Sequence, residues 1–346
     1  MLILQRLENE STPLIDGHTV TFVWEGEKPP LLRGDFNGWN QDPGQAPLWT
    51  EEVPGLWWHQ LTLPDDAYIE YGLGTDEDRQ LDPRNPRVTP NGMGQINHYF
   101  MMPQAELNAW HVQKQGVARG RVTRHRVTAR LLARGKTRTV YLYQPPTEQP
   151  VPLLLVYDGQ DYYRRAQLPT MVDNLIAQGK IPPIALAMIA NAGSQARMTE
   201  YACADSTLLH VVYQLLPLVR ENLNVLDPAQ HPGAYGVLGA SMGGLMATYT
   251  GLRLPHLFGR VFSQSGAFYF DEYETVVGEL VRHGPLRPLR FFMDVGQFEW
   301  LLEPNRRMHT LLSERGYPVA YHEFAGGHNY PSWRNNLWRG LQWLFA

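Results

Sequence analysis

The stretch Tyr235-Gly236-Val237-Leu238-Gly239-Ala240-Ser241-Met242-Gly243-Gly244 decides the fold. Its opening residues read as a strand buried on both faces, and 243–253 reads as a helix. Between them stands G-x-S-x-G, in the strand–turn–helix context that gives the motif its meaning. The requirement is steric. A serine on so sharp a turn takes an unfavourable backbone conformation, and side chains two residues before or after it would collide with neighbouring backbone. Gly239 and Gly243 avoid that collision, and Gly244 loosens the turn further. The turn also aims the start of the next helix at the reaction centre, where its partial positive charge favours a developing oxyanion.

Outward from this turn, apolar runs alternate with amphipathic ones. Runs at 153–157, 184–189, 234–238, 261–262, 290–293 and 319–324 predict strands. The segments 168–178, 206–221, 243–253, 271–283 and 303–315 predict helices between them. A hairpin is expected from 122–133 and 138–143 about Gly135. Alternation of this kind implies an α/β class: an α/β-hydrolase fold with a mostly parallel central sheet and helices on both faces. The first hundred residues differ. Short alternating runs (19–24, 57–63) lie between turn formers at 26–30, 40–44 and 64–66, which predicts an all-β sandwich with no helix before Pro103. A connector over 104–120 separates the two, so the expected domains are 1–110, β-rich, and 111–346, catalytic.

A serine hydroxyl is a weak nucleophile and needs a base within hydrogen-bond reach. In this fold the base follows the last strand. There the chain reads Ala325-Gly326-Gly327-His328, and His328 has that context, whereas His322 lies inside the strand. The residue orienting the imidazole should follow the strand at 290–293, where Asp294 and Glu299 are both candidates. The oxyanion hole is expected from the backbone N–H of Met242 and, after the first core strand, that of Gln160 in Tyr157-Asp158-Gly159-Gln160. Catalysis is therefore assigned to Ser241 and His328 with one of the two acids, and it needs no cofactor or metal.

Composition bounds the rest. A net charge of -4 argues against a nucleic-acid partner. One cysteine, Cys203, leaves no internal disulfide and no cysteine cluster. No apolar run approaches the roughly 18 residues of a spanning helix, and the opening apolar run is too short for a signal-peptide core. A cytoplasmic protein acting on a small-molecule ester is expected. One basic run, Arg119 to Arg138, suits a face of the entry hairpin and reads first as a solvated ribbon. Arg197, with Glu200, falls on the loop after 184–189, where it either contacts substrate or braces the loop. Trp39, Trp49, Trp57 and Trp58 read first as sandwich core and second as sugar platforms.

Several of these motifs together carry a family resemblance. Ser241 in GASMGG, the segment 255–266 (PHLFGRVFSQSG), the turn Tyr157-Asp158-Gly159-Gln160, and Gly326-Gly327-His328-Asn329 followed by Trp333-Arg334 resemble the enterochelin (ferric enterobactin) esterases of the esterase D-type α/β-hydrolases. The family's acid sits in a G-x-x-E pattern. Gly296-Gln297-Phe298-Glu299 matches it, so the resemblance favours Glu299 over Asp294. It implies an immunoglobulin-like N-terminal domain, Arg197 and Trp333 as substrate-binding residues, and a siderophore trilactone as substrate, with any iron arriving as cargo. Asp35-Phe36-Asn37-Gly38-Trp39 and Leu81-Asp82-Pro83-Arg84-Asn85-Pro86 also resemble the β-modules of glycogen-branching enzymes. That keeps a feruloyl or acetyl esterase on carbohydrate as the competing expectation.

Overall fold

The structure, a computed structural model, describes residues 2–40, 47–92, 94–270 and 273–346. The chain forms two compact units. One comprises the residues up to Leu107 together with Gly296–Trp300 and Phe324–Ser332; the other comprises Asn108–Val295, Leu301–Glu323 and Trp333–Ala346. The division is thus not the linear cut at residue 110. Two short segments far down the chain pack with the N-terminal β-strands.

The larger unit is built on an eight-stranded sheet. Its strands are β1 (Arg121–Thr128), β2 (Thr137–Gln144), β3 (Leu153–Val156), β4 (Ala185–Ile189), β5 (Tyr235–Ala240), β6 (Phe258–Gln264), β7 (Arg290–Gly296) and β8 (Val319–Phe324). They lie in the order β1-β2-β4-β3-β5-β6-β7-β8. β1 pairs antiparallel with β2, and β2 antiparallel with β4. From β4 through β3, β5 and β6 to β7 every pair is parallel. Every residue of β3, β4 and β5 is buried. That is why these strands read as unbroken apolar runs rather than alternating ones. β1, at the edge, alternates exposed and covered positions instead.

Helices at Leu168–Ala177, Met242–Arg253 and Leu302–Glu314 fall where periodicity predicts them. The segment expected at 206–221 is helical but carries a π turn, Val211–Leu215, between Asp205–His210 and Leu216–Asn222. The helix expected from 271 begins at Val276 instead, because Tyr269–Phe270 and Tyr273–Glu274 pair as a hairpin. Its first two expected residues, 271 and 272, lie outside the described residues. Three further helices, Gly159–Arg164, Ser194–Tyr201 and Tyr330–Phe345, complete the unit's connections.

In the smaller unit, Thr19–Glu25 and Leu56–Thr62 pair antiparallel at the centre of a four-stranded sheet. A second sheet of five strands centres on Tyr68–Gly74 and Ile96–Met101. Phe22 sets its ring edge-on to Tyr71 and Phe100, with centroids 5.1 and 5.8 Å away. Val20, Leu32, Ile69 and Leu73 fill the space around them, and Phe298 and Ala325 from the late segments pack on the same cluster. Contrary to the expectation of no helix before Pro103, Leu2–Leu7 is helical, and its Leu7 joins Leu14, Val23 and Leu56 in a separate apolar cluster. Residues 41–44 of the expected turn lie outside the described residues. The indole N–H groups of Trp39, Trp49 and Trp57 donate to Asp35 Oδ1, the Pro30 carbonyl and the Gly26 carbonyl, as half-buried core and rim residues do.

Candidate active site

Ser241 stands between β5 and the helix Met242–Arg253 at φ 58° and ψ -122°. A non-glycine residue held there stores on the order of 1–3 kcal/mol of strain, so its surroundings must hold it. They do so through the main chain. Ser241 N donates to the Gln264 carbonyl at 2.8 Å, and the Ser241 carbonyl accepts from Ala267 N at 3.1 Å and Leu245 N at 3.0 Å. Gly239 is forced by backbone as expected, whereas a Cβ on Gly243 would meet the side-chain oxygen Asp158 Oδ2 at 3.2 Å rather than backbone. A Cβ on Gly239 would lie 2.2 Å from the Gly243 carbonyl oxygen, and one on Gly244 would lie 2.7 Å from Ser263 Oγ. Met242 is the first residue of its helix.

Gln160 is the second residue of Gly159–Arg164, and Asp158 ahead of it has φ 52°. A Cβ on Gly159 would stand 2.2 Å from the Met188 carbonyl carbon, so only glycine lets this helix start so close to β4. The Gln160 side chain is tied down, accepting from Asn191 N at 3.1 Å and donating to Asp161 Oδ2 at 3.0 Å. N–H groups in a helix's first turn lack intrahelical acceptors, which suits Met242 and Gln160 to receive an oxyanion.

Arg197 braces this region. Its Nε donates to both oxygens of the buried Asp158 at 2.9 and 2.8 Å, and its Nη2 donates to the Ala240 carbonyl, one residue before Ser241, at 3.0 Å. Glu200 is not its partner: it forms a buried ion pair with Arg138. The basic run is therefore not one solvated face, since its last member is core. Trp333 is buried as well, with Nε1 donating to Ser265 Oγ at 2.9 Å and its carbonyl accepting from Gln264 Nε2 at 3.1 Å. Asp294, the rival acid, is buried in β7 and accepts from Gln264 Nε2 at 2.9 Å. Burial pushes the Cys203 thiol up to about 12, which keeps it protonated and removes it as a competing nucleophile.

The loops after β7 and β8 belong to the smaller unit. There His328 Nδ1 hydrogen-bonds Glu299 Oε2. The other oxygen of that carboxylate, Oε1, accepts from Gly296 N at 2.6 Å, and the Glu299 side chain is fully shielded from solvent. A proton on Nδ1, fixed by the acid, leaves Nε2 bare as a base. The two loops are laced together: Phe298 N donates to the Gly326 carbonyl at 3.1 Å and Gln297 N to the Phe324 carbonyl at 2.9 Å. Trp300 lies against the imidazole, ring centroids 4.8 Å apart, yet is 63% exposed. Sequence reasoning passes over Trp300, although it sits next to Glu299 in the G-x-x-E pattern. It also passes over the hydrogen bond from Asn329 Nδ2, next to His328, to Asp35 Oδ2 at 3.2 Å, for which no local signal exists. Among the described residues no three His, Cys, Asp or Glu side chains group so as to hold a metal ion.

Comparison with known proteins adds four findings. A family model described as "Putative esterase" matches residues 133–344. The iron(III) enterobactin esterase of Dickeya dadantii is 31% identical over 228 residues, covering 60% of this chain and 52% of the relative. The chain thus spans about half the length of that curated relative. The iron(III) salmochelin esterase of Escherichia coli O6:H1 is 26% identical over 366 residues, covering 94% of this chain and 87% of the relative. The solved ferric enterobactin esterase of Salmonella typhimurium superposes with a TM-score of 0.80 at 23% identity, covering 97% of this chain and 95% of that one. The structural likeness shows the fold, which is of the α/β-hydrolase type.

Proposed function

The chain belongs to the esterase family, and from that premise we propose that it cleaves carboxylic esters with Ser241 as nucleophile, His328 as base and Glu299 as the orienting acid. The observation that carries this is the hydrogen bond from His328 to a carboxylate shielded from water, in the loops that follow the last two strands of the sheet. In this mechanism Ser241 Oγ attacks the ester carbonyl carbon while His328 Nε2 takes its proton. The oxyanion that forms is received by the N–H groups of Met242 and Gln160. As the carbonyl re-forms, the alcohol departs with the proton from Nε2, leaving an acyl-enzyme. Water then attacks the acyl group, with Nε2 as base again, and the acid is released. Glu299 stays ionised throughout and stabilises the imidazolium.

For the substrate we propose the lactone bonds of a catecholate siderophore, as the names of the relatives suggest. Trp300 supports this from within the chain: an exposed aromatic face beside the base suits an aryl-acyl group. We also propose that the two-sheet N-terminal unit is an immunoglobulin-like sandwich. A glycan-binding role for it has little support, since three of its tryptophan N–H groups already bond within the protein. A hydrolysis panel of enterobactin, its ferric complex, a feruloylated sugar and an acetylated sugar tests the substrate. Turnover of the trilactone is expected to exceed that of both sugars, and the reverse order would reject the siderophore assignment. Ser241→Ala should lower every rate about 10^4-fold or more and abolish labelling by a fluorophosphonate. Labelling that persists in the variant would reject the nucleophile.

A further inference from the structure

We propose that Asp35 is a positioning residue for the base: it holds the loop that carries His328 against Glu299. The inference rests on the esterase reading above and adds a residue that the reading does not contain.

Asp35 sits in the Asp-Phe-Asn-Gly-Trp segment, and the segment is folded around its carboxylate. Asn37 Oδ1 accepts from Gly34 N at 2.9 Å, Gly38 takes φ 63°, and Trp39 turns back so that its Nε1 donates to Asp35 Oδ1 at 2.9 Å. The second oxygen, Oδ2, accepts from Glu70 N at 2.8 Å and from Asn329 Nδ2 at 3.2 Å. The carboxylate therefore reaches the residue immediately after His328. It also fills the place beside the residue immediately before it, since a Cβ on Gly327 would lie 2.1 Å from Asp35 Cγ. One step further back, Tyr68 N donates to the Ala325 carbonyl at 3.0 Å. The loop is thus gripped on both sides of the imidazole by residues that precede it by more than 250 positions.

A carboxylate in this place is costly. Asp35 is 2% exposed. Burial and the neighbouring Glu70 charge, with a smaller contribution from Glu299, hold its carboxyl well above the usual carboxylate range against the opposing pull of the Glu70 N–H and Trp39 donors. A neutral side chain would fill the space at lower cost. What the aspartate supplies is two acceptor oxygens that join the N-terminal strands to the His328 loop at a fixed spacing. The need for that spacing is kinetic, because a base displaced by about 1 Å loses roughly 10^2-fold in rate.

Asn329 gives a clean test because its two ends do different work. Its Nδ2 meets Asp35, while its Oδ1 accepts from Ser332 N at 2.9 Å and caps the helix Tyr330–Phe345. Asn329→Asp keeps an acceptor for the cap but replaces the N–H donor facing Asp35 with a second carboxyl oxygen. On a nitrophenyl ester, kcat is expected to fall about 10- to 100-fold with KM within twofold of wild type. Wild-type kcat in Asn329→Asp, or a loss confined to KM, overturns the proposal. If Asn329→Asp melts early, Asn329→Ser takes its place, keeping a capping oxygen without the charge. The same kcat loss is expected of it, and wild-type kcat overturns the proposal. Fluorophosphonate labelling of the wild type separates the two claims: an unlabelled wild type rejects the esterase reading, whereas a labelled, active wild type with an unaffected Asn329 variant rejects only the role of Asp35.

Discussion

The turn that carries Ser241 and the loop that carries His328 are held by different means. At the turn the restraint is steric and local. Gly239 and Gly243 are four residues apart, and the clash that a Cβ on Gly239 would cause is with the Gly243 main chain. At the loop the restraint is a set of hydrogen bonds to distant residues, from Tyr68 to Ala325 and from Asn329 to Asp35, the second across 294 positions. A nucleophile can therefore be encoded in a pentapeptide, whereas its base sits in a loop held by residues of the N-terminal strands.

The largest expected effect tests whether hydrogen bonding alone sets the state of the base. In Glu299→Gln the carbonyl end of the amide keeps the Gly296 N–H, so the NH2 end faces His328 Nδ1. That favours the imidazole with Nδ1 bare and the proton on Nε2, which cannot accept from a serine. The expected loss is about 10^4-fold in kcat with little change in melting temperature, read on a nitrophenyl ester. Near-wild-type turnover would mean that His328 does not depend on Glu299. A smaller effect compares the two regions directly. Gly239→Ala drives a methyl into backbone, which cannot swing aside, and should cost about 10^2-fold in turnover and about 1–3 kcal/mol in stability. Gly327→Ala meets the Asp35 carboxylate, a side chain rather than backbone, and should cost about tenfold. Equal or reversed losses would break the distinction between steric and hydrogen-bonded restraint.

The same distinction explains what the sequence discloses. The strands of the larger sheet are legible because each is buried on both faces, and the Ser241 turn is legible because its constraint fits within a few residues. Ser194–Tyr201 escapes notice because Ala196, Glu200 and Tyr201 are its buried residues and too few of them are apolar to set a period. Gly159–Arg164 spans less than two turns of helix. Tyr330–Phe345 is different: its buried Trp333, Leu337, Leu341 and Leu344 lie at helical spacing, a signal that attention to the neighbouring Gly-Gly-His passes over. At the site, the G-x-x-E resemblance leads to Glu299, and chain order leads to His328. Arg197 follows β4 as expected but stands in the helix Ser194–Tyr201 rather than on a loop, and its partner Asp158 is set by the fold, because a charge pattern along the chain favours the nearer Glu200. Asp35 stands in a motif visible from the start, yet nothing near it in sequence indicates that its acceptor oxygens reach the loop of residue 328.

The smallest effect follows from the chemistry of the hydrogen-bonded unit. Bonds made by titratable groups carry a pH dependence that a steric restraint lacks, and His98 is the case in point. Its Nε2 accepts from Asp82 N at 3.0 Å, so Nδ1 carries the proton and meets the Asn85 carbonyl at 3.0 Å. A second proton would set two N–H groups against each other. Burial accordingly lowers the His98 pKa, outweighing the opposing pull of the Asp82 charge. With the folded value below the unfolded one, the unfolded chain takes up the proton first as pH falls. Stability is then full above the ordinary histidine value of about 6.5 and declines as the pH drops from there towards the folded pKa. Half-buried His111 and buried His210, on the other unit, are lowered by the same cause and add to the acid-side loss. His98→Gln isolates one share of it. The amide reproduces both bonds, its oxygen accepting from Asp82 N and its NH2 donating to the Asn85 carbonyl, without titrating. Melting curves between pH 7.5 and 5 should fall for both proteins, with the variant losing a few degrees less. Parallel curves would show that the His98 bonds do not couple this unit to pH, and would leave its acid sensitivity to its carboxylates.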